Sequence, residues 1–299
     1  MRCHAIFEEV VFMIIITGAG GQLGRAVVER LLERVPAEEI GVSVRDPKKA
    51  QGLKERGVRV RQGDFDDPES LARAFEGASQ VLIVSTDSLG ETATRRHLTA
   101  IDMAKKAGAG RVLYTSQMGS SRTSRFAPMV DHAAAEEALK ASGVAFTSLR
   151  NGFYTASALM LLGGALKTGE LIAPEDGPVA WTSHADLAEV TAVVLSEGSL
   201  DGVTPALTGS KAIDMDGIAA IASGHVGRPI RRIVVSDNEY RARLISHGLP
   251  EERADLLLGV FRASREGEFA RTDPTLARLI GRPPMTFEDV LKASIQSNG

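Results

Sequence analysis

The sequence predicts an α/β fold, in which a doubly wound parallel sheet is followed by a smaller C-terminal lobe interleaved with the last sheet elements. Three observations predict it. A glycine-rich segment separates a short apolar run from an amphipathic helix at residues 13–34. Six short apolar runs alternate with helical patterns up to residue 150, which is the rhythm of a parallel sheet with helical crossovers. Beyond residue 150 this alternation decays into shorter pieces punctuated by glycine and proline.

The composition is that of an ordinary globular protein. Of the 299 residues, 43% are hydrophobic and 24% are charged, and the formal net charge is -3. Nothing here favours binding to nucleic acid or to an anionic membrane surface. Cys3 is the only cysteine, which excludes an internal disulfide framework and a cysteine-based zinc site. We therefore expect a small-molecule ligand, no metal centre and a reducing, cytoplasmic location.

Residues 1–12 precede the first predicted strand, which begins at Met13. They are predicted to be an extension, either an upstream start or a disordered tail. They do not resemble a signal peptide, because Glu8 and Glu9 interrupt the apolar run and no small-residue cleavage site follows. The apolar run at residues 10–16 is far shorter than the roughly 20 residues that span a bilayer, so no membrane insertion is expected.

The glycine-rich segment joins the first strand, residues 13–16, to a helix over residues 25–34. Such a turn brings unpaired backbone N–H groups and the positive end of a helix to one point, which favours a phosphate. The glycines follow a G-x-x-G-x-x-G spacing, typical of a tight turn against a pyrophosphate, although a flexible turn is the alternative. The candidate phosphate-binding residues are Thr17, Gly18, Gly20, Gly21, Gln22, Leu23 and Gly24.

Arg45 follows the second predicted strand, residues 39–44. In a dinucleotide-binding sheet this strand end faces the adenosine ribose, where an acidic residue suits the 2′-hydroxyl of NAD and an arginine suits the 2′-phosphate of NADP. The planar guanidinium of Arg45 can bind that phosphate, with Lys48 or Lys49 as added charge. The alternative is that these charges are solvated at the start of a helix. Asp46 either bonds a ribose hydroxyl or caps that helix.

Further candidates follow the next four strands, which are predicted at residues 58–62, 80–84, 111–115 and 144–149. Ligands of a doubly wound sheet bind at the carboxyl ends of its strands. Asp64 can accept from the adenine amino group and Phe65 can lie beside the base, with an acid-rich turn as the alternative. The other candidate cofactor-binding residues at strand ends are Ser85, Thr86, Ser116 and Asn151.

The helices are marked by their caps and by the glycines at their ends. Asp67, followed by proline, opens the helix after the third strand. Gly108 and Gly143 end two later helices. Further helices are predicted at residues 95–107, 131–142, 185–195, 213–223, 239–247, 251–262 and 287–295. We place a cofactor-binding domain at residues 13–152 and a smaller substrate lobe, with the last sheet elements, at residues 153–299.

The order of these motifs resembles the short-chain dehydrogenase/reductase superfamily, a Rossmann-type fold, in its extended or atypical form, with T-G-x-x-G-x-x-G at residues 17–24. Typical members use a tyrosine as the acid and a lysine four residues later to lower the pKa of that tyrosine. This chain has no such pair, because Met118, Ala158 and Leu244 stand four residues after its three tyrosines. Alcohol–ketone chemistry by that route is not expected, nor is nucleotide-sugar epimerisation.

Two further segments narrow the resemblance. D-H-A-A-A-E-E at residues 131–137 and L-R-N-G-F-Y at residues 149–154 resemble the NmrA-like branch of atypical reductases, and within it the bacterial NADPH-dependent quinone reductases and triphenylmethane dye reductases. The resemblance runs from about residue 13 to near the C-terminus. It implies NADPH as the cofactor and hydride transfer to a quinone or a similar flat, electron-poor acceptor. His184 departs from the pattern, since similar proteins often carry arginine there.

Such chemistry needs no tyrosine acid, because a quinone accepts hydride readily once it is stacked on the nicotinamide away from water. Solvent or His132, whose ordinary pKa lies near neutrality, can deliver the proton. The alternative is that His132 and Glu136, which share a helix face, pair with each other or hold the nicotinamide end. Asn151 is expected to bond the nicotinamide ribose or carboxamide. Candidate pocket walls, which could equally be core residues, are Phe153, Tyr154 and Trp181.

The sequence leaves two functions open. The first is an NADPH-dependent oxidoreductase for quinone-like acceptors, which the segments at residues 131–137 and 149–154 favour. The second is a redox sensor that binds NADP(H) and contacts a partner protein without turnover, a role found in the NmrA-like group. The missing tyrosine–lysine pair fits both functions, and an oligomer is compatible with either.

Overall fold

The structure, a computed structural model, describes residues 12–297. The N-terminal half alternates strands and helices. In chain order these are β1 (Ile14–Thr17), α1 (Gln22–Leu31), β2 (Ile40–Val44), α2 (Gln51–Glu55), β3 (Arg59–Gln62), α3 (Pro68–Phe75), β4 (Gln80–Ile83), α4 (Gly90–Lys106), β5 (Arg111–Gln117), α5 (Ala127–Ser142) and β6 (Ala145–Asn151). Short 3-10 turns at Ala37–Glu39 and Pro47–Ala50 precede β2 and α2. The predicted extension, residues 1–12, lies outside the described residues except for Phe12.

The C-terminal half consists of shorter elements. They are β7 (Phe153–Tyr154), α6 (Thr155–Leu162), α7 (Ala165–Thr168), β8 (Glu170–Pro174), β9 (Trp181–Thr182), α8 (His184–Glu197), β10 (Gly202–Val203), α9 (Met215–Val226), β11 (Arg231–Val235), α10 (Asp237–Ser246), α11 (Glu251–Arg265), α12 (Thr275–Ile280) and α13 (Phe287–Ser297). β7 pairs with β9, and β8 pairs with β11. β10 instead extends the large sheet beside β6, so this half of the chain contributes to both parts of the molecule.

Seven strands form one parallel sheet in the order β10-β6-β5-β4-β1-β2-β3. From β1 the chain builds outward through β2 and β3, then returns to the other side of β1 and builds outward through β4, β5 and β6. This reversal between β1 and β4 opens a crevice at the carboxyl ends of the strands, where ligands of doubly wound sheets bind. The predicted fold class is confirmed. The domain boundary at residue 152 stays a prediction.

Apolar side chains of the central strands alternate between two buried faces. Ile14 and Ile16 of β1 pack toward α1 and α8, whereas Ile15 packs toward α3, α4 and α5. Because both faces of the sheet are covered at β1, consecutive residues of this strand are apolar. A third apolar cluster, which includes Phe261 and Phe269, lies in the C-terminal half. Across residues 12–297, no helix is both long and apolar enough to cross a membrane.

The six strands predicted up to residue 150 are confirmed, but several element ends differ. α1 begins at Gln22 instead of residue 25, α5 begins at Ala127 instead of residue 131, and β6 continues to Asn151 instead of ending at residue 149. α2 follows the turn capped by Asp46, where the sequence suggests the start of a helix. The prediction missed the five strands from β7 to β11 and the helices α6, α7 and α12. These elements are short, and the strands among them pair with partners far away in the sequence, so local patterns carry little signal for them.

Candidate functional site

The turn between β1 and α1 requires glycine at two of its positions. Gly18 has a φ of +65°, in the left-handed region that other residues rarely adopt. A Cβ on Gly24 would stand 2.3 Å from the Gly18 carbonyl oxygen. The N–H of Gly21 donates to that same oxygen at 2.9 Å. α1 is therefore packed directly against the end of β1, and Gly20 and Gly21 remain exposed in the turn.

The start of α1 presents backbone N–H groups without a side-chain cap. Its N-cap is Gly21, which cannot accept a hydrogen bond with a side chain, and its first turn contains no acidic residue. The N–H groups of a first helical turn have no partner within the helix. Leu23 packs into the core, whereas Gln22 is exposed. The turn thus offers donors and a positive helix end without a negative charge, which is what a pyrophosphate requires.

Arg45 lies just beyond β2 with an uncommitted guanidinium. It is exposed, and among residues 12–297 it makes no ion pair or hydrogen bond. The carboxylate of Asp46 instead accepts from the N–H of Lys48 at 3.1 Å and caps the following 3-10 turn, so the capping alternative for Asp46 is confirmed. An unpaired arginine beside a committed carboxylate suits a phosphate better than a ribose hydroxyl.

The turn after β3 is shaped by its own acidic residues. Oδ1 of Asp64 accepts from the N–H of Asp66 at 3.0 Å, and the N–H of Asp64 donates to Oγ of Ser70 at 2.9 Å. Phe65 is partly buried against the cluster beneath α3 and α4. Asp64 and Phe65 lie at the carboxyl edge of the sheet as predicted, and their contact with an adenine stays a prediction.

The loop after β4 is held by three side chains from neighbouring elements. The donor–acceptor pairs are the N–H of Val84 to Oγ1 of Thr17 at 2.9 Å, the N–H of Ser85 to Oγ1 of Thr115 at 2.8 Å, and the N–H of Thr86 to Nε2 of His97 at 3.0 Å. The hydroxyl of Ser85 accepts from Thr115, and that of Thr86 bonds with Ser88. Thr17, Ser85 and Thr86, which were predicted to bind the cofactor, therefore use their hydroxyls within the protein to fix this loop.

His132 does not pair with Glu136, although both lie on α5. Nδ1 of His132 is instead 2.7 Å from the hydroxyl of Tyr114, which lies 3.3 Å from Nδ1 of His97. Burial lowers the pKa of His132 to about 4, and the opposing influence of Glu136 is smaller. The lowered pKa argues against His132 as a proton donor at pH 7.

Glu136 links α5 to β5 and β6 by hydrogen bonds. Its buried carboxylate accepts from Oγ of Ser116 at 2.7 Å, Oγ of Ser148 at 3.1 Å and Nε of Arg150 at 2.9 Å. Burial alone would raise the pKa of Glu136, but the hydrogen bonds from Arg150 and Ser116 outweigh it and hold that pKa below its ordinary value. Ser116, a predicted cofactor-binding residue, gives its hydroxyl to this carboxylate instead.

Asn151, the last residue of β6, is fully buried. Neither Oδ1 nor Nδ2 of its amide has a hydrogen-bond partner within the described chain. Burial raises the pKa of the Tyr154 phenol, and an interaction with the Asn151 side chain, too poor in geometry to count as a hydrogen bond, opposes that rise. An unsatisfied buried amide is unfavourable, so the side chain is best explained by a ligand that supplies its partners.

Two of the three predicted pocket walls belong to the core. Phe153 and Trp181 are 7% and 3% exposed, and their ring centroids lie 5.4 Å apart. Nε1 of Trp181 donates to the carbonyl of Ile213. Tyr154 is only partly buried, and its ring lies 4.4 Å from that of His184. Tyr154 and His184, which is also partly buried, are therefore the aromatic pair that can form a wall.

Sequence reasoning missed Tyr114, His97 and Arg150, which position His132 and Glu136. Their partners lie 14 to 18 residues away in the chain, so no local spacing pattern joins them. One signal was present, because Tyr114 lies within a strand that is buried on both faces. A buried tyrosine usually needs a hydrogen-bond partner for its hydroxyl.

Known proteins share this architecture over the whole chain. A family model described as NAD(P)H-binding matches residues 18–198. Quinone oxidoreductase 2 of Escherichia coli (strain K12) is 36% identical over 278 residues, which are 93% of this chain and 96% of that protein. An NmrA-like family domain-containing oxidoreductase of Aspergillus flavus is 27% identical over 296 residues, which are 95% of each protein.

Solved structures agree. An NADPH-dependent quinone oxidoreductase from Escherichia coli, complexed with NADPH, superposes with a TM-score of 0.90 at 34% identity, covering 95% of this chain and 100% of that one. A Citrobacter triphenylmethane reductase complexed with NADP(H) superposes with a TM-score of 0.87 at 30% identity, covering 94% and 99%. These similarities extend over nearly the whole chain, and they agree with the uncapped glycine turn and the reversal of strand order beside it. The chain therefore belongs to the NAD(P)H-binding family, among the NmrA-like oxidoreductases.

Proposed function

We propose that this protein is an NADPH-dependent oxidoreductase that passes hydride to quinones or similar flat, electron-poor acceptors without a tyrosine–lysine pair. The observation that carries the proposal is the buried amide of Asn151, which makes no well-formed hydrogen bond among the described residues. It lies at the carboxyl edge of the sheet that also carries the uncapped start of α1. Relatives named quinone oxidoreductase, azoreductase and triphenylmethane reductase support this class of acceptor.

The residues at this edge fit NADPH. The exposed turn at Gly20 and Gly21 would hold the pyrophosphate on backbone N–H groups. Arg45 would bind the 2′-phosphate, and the amide of Asn151 would bond the carboxamide or ribose at the nicotinamide end. When bound, NADPH supplies the hydride.

The protein's own task is to orient the acceptor and exclude water. Tyr154 and His184 offer an aromatic wall for a flat ring. One hydride converts a quinone to the hydroquinone anion, and one proton from water completes the hydroquinone. His132 is neutral at pH 7, so it is not the acid that provides this proton.

The decisive assay is NADPH oxidation by the purified protein with a panel of quinones and a cationic dye. We expect turnover with the electron-poor members of the panel and none with simple ketones. Tight NADPH binding without turnover on any acceptor would contradict the enzyme and favour the redox sensor.

Cofactor choice tests the role of Arg45. Arg45→Ala should weaken the preference for NADPH over NADH about tenfold to hundredfold, because a charged hydrogen bond contributes roughly 1.5–3 kcal/mol. Dissociation constants of both cofactors provide the measurement. Lys54→Ala, which removes a positive charge from the exposed surface of α2, should leave the preference unchanged. Equal affinity of the unaltered protein for the two cofactors would refute this role.

A further inference from the structure

Three side chains, His97 of α4, Tyr114 of β5 and His132 of α5, form a line of hydrogen bonds that we term the His–Tyr–His relay. The Tyr114 hydroxyl lies 3.3 Å from Nδ1 of His97 and 2.7 Å from Nδ1 of His132. The line ends at the backbone N–H of Thr86, which lies 3.0 Å from Nε2 of His97. The relay therefore runs from the loop after β4 to α5.

The N–H of Thr86 sets the direction of the relay. A backbone N–H can only donate, so Nε2 of His97 is the accepting, unprotonated nitrogen. A neutral imidazole in that state carries its proton on Nδ1. Burial, helped by His132, lowers the pKa of His97 to about 3, which keeps the ring neutral at pH 7. Nδ1 of His97 therefore donates to the oxygen of Tyr114.

Tyr114 transmits this direction to His132. Its hydroxyl has a single proton, and since its oxygen accepts from His97, that proton is directed to Nδ1 of His132. Burial raises the pKa of Tyr114 well above its ordinary value, and Glu136 and Asp131 act in the same direction, so the phenol keeps its proton. Nδ1 of His132 accepts, and the neutral ring carries its own proton on Nε2.

The Nε2–H group of His132 has no acceptor among the residues that the structure describes, and the ring is only partly buried. The carboxylates of the same helix have other partners. Asp131 accepts from the N–H of Gly90 at 2.9 Å, and Glu136 accepts from Ser116. The Nε2–H group therefore stays available as a donor, on a ring that contacts Tyr114 beside the last residue of β4.

We infer that the His–Tyr–His relay holds His132 in its Nε2–H tautomer. In that tautomer His132 contacts a bound ligand as a hydrogen-bond donor to an oxygen atom, and it does not act as a base. The ligand part of this inference rests on the proposed function, in which the oxygen belongs to the quinone carbonyl or to the nicotinamide end of the cofactor. Donation to a quinone oxygen stabilises the charge that builds there as hydride arrives, while water still supplies the proton. His97 and Tyr114 are positioning residues, which act only through His132.

The tautomers can be measured in the protein without any ligand. Long-range proton–nitrogen NMR correlations of the histidine rings at pH 7 distinguish protonated from unprotonated nitrogens, and His97→Gln and His132→Gln assign the signals. We expect opposite tautomers, with the proton on Nδ1 in His97 and on Nε2 in His132. Two rings in the same tautomer, or His132 protonated on Nδ1, would overturn the relay.

Tyr114→Phe removes the middle of the relay and keeps the ring. The Nδ1 signal of His132 should shift toward that of an unbonded nitrogen, and kcat of NADPH oxidation should fall about tenfold. Tyr240→Phe, which alters another buried tyrosine, packed on Phe261, should change neither. An unchanged His132 signal in folded Tyr114→Phe would refute the hydrogen bond between Tyr114 and His132. If this variant does not fold, the tautomers measured in the unaltered protein test the relay.

Two titrations identify the oxygen without turnover, because both ligands are in their oxidised form. A shift of the His132 Nε2–H signal on adding NADP+ assigns the oxygen to the cofactor, and a shift only on adding a quinone to that complex assigns it to the acceptor. No shift with both ligands bound, as judged from the amide signals of Gly18 and Gly21, would overturn the donor role. If neither ligand moves those amides, the proposed function fails while the measured tautomers still stand.

Discussion

Asn151 is a residue whose side chain the free protein leaves unsatisfied. Its amide is fully buried at the end of β6, and the described residues provide no well-formed hydrogen bond to Oδ1 or Nδ2. A buried amide in that state destabilises a protein by about 1–3 kcal/mol. Local conflicts of this kind are expected at ligand sites, because the missing partners arrive with the ligand.

Asn151→Leu should therefore lower the activity of the protein without lowering its stability. Leucine has a similar size and no polar atoms, so the thermal unfolding midpoint of the free protein should stay the same or rise. The kcat/KM of NADPH oxidation should fall about tenfold to hundredfold, because the amide forms its hydrogen bonds only with the ligand. Thermal unfolding without cofactor and steady-state kinetics measure the two effects.

Gln80→Leu is the matched control at the opposite edge of the sheet. Gln80 begins β4, and its Nε2 donates to the carbonyl of Leu195 at 3.1 Å, although its Oε1 has no partner among the described residues. This variant should lower the unfolding midpoint and leave NADPH oxidation unchanged. If Asn151→Leu lowers the midpoint as Gln80→Leu does, the Asn151 amide has partners in the free protein and the ligand explanation is lost.

For single residues, the sequence predicted the place of a side chain in the fold better than it predicted the groups that the side chain bonds. Gly18 and Gly24 were predicted from their spacing, and the geometry of the turn requires both. Ser116 lies at the predicted strand end, yet its hydroxyl bonds Glu136, which is 20 residues away. Spacing along the chain locates the end of a strand, whereas the partner of a side chain there depends on packing between elements distant in sequence.

Among the helices, α5 is bonded to both β5 and β6 by one buried carboxylate, that of Glu136. The side chain of Glu136 is 4% exposed and that of its ion-pair partner Arg150 is 31% exposed. Glu136→Ala leaves Arg150, Ser116 and Ser148 without their acceptor. We expect the free energy of unfolding to fall by roughly 3–5 kcal/mol, the usual effect of breaking a buried pair from one side. Denaturant unfolding measures the change.

Glu137→Ala supplies the comparison, because Glu137 is the next residue of the same helix. It is exposed and pairs with Arg122 at the surface, and such pairs contribute little. Its removal should leave the denaturant midpoint nearly unchanged. Similar losses in both variants would mean that the buried carboxylate of Glu136 is not the cause of the loss.

The ends of elements were harder to predict than their existence, for physical reasons. α1 begins inside the glycine motif, and Gly24 is helical despite the poor helix propensity of glycine, because only glycine fits against Gly18. β6 extends to Asn151 because the carbonyl of Asn151 accepts from the N–H of Met118 and the carbonyl of Arg150 accepts from the N–H of Leu207. Hydrogen bonds of this kind have no counterpart in a local pattern.

Across the whole molecule, hydrophobic content does not reveal which core an aromatic residue joins. Phe153 follows a predicted cofactor-binding strand, yet it packs with Trp181, Phe126 and Phe269 in the C-terminal cluster. The alternating half was predictable because each βα unit repeats one pattern. The lobe was not, because its short strands and its ring cluster are assembled from segments distant in the sequence.

The buried histidines make the stability of the whole protein depend on pH. Burial lowers the pKa of His97 to about 3 and that of His132 to about 4, from an ordinary value of 6.5. Between pH 6.5 and 4 the unfolded chain therefore binds more protons than the folded protein, so the free energy of unfolding falls as the pH falls. Each histidine contributes up to about 1.4 kcal/mol per pH unit in that window. Denaturant unfolding at several pH values measures the slope.

The double variant His97→Gln/His132→Gln should flatten this slope between pH 6.5 and 5, where carboxylates still contribute little. Some slope should remain, because burial also lowers the pKa of His184. His247→Gln, which alters an exposed histidine, should keep the full slope. A double variant with the slope of the unaltered protein would mean that His97 and His132 bind protons equally when folded and unfolded. The lowered pKa values of the two histidines would then be contradicted.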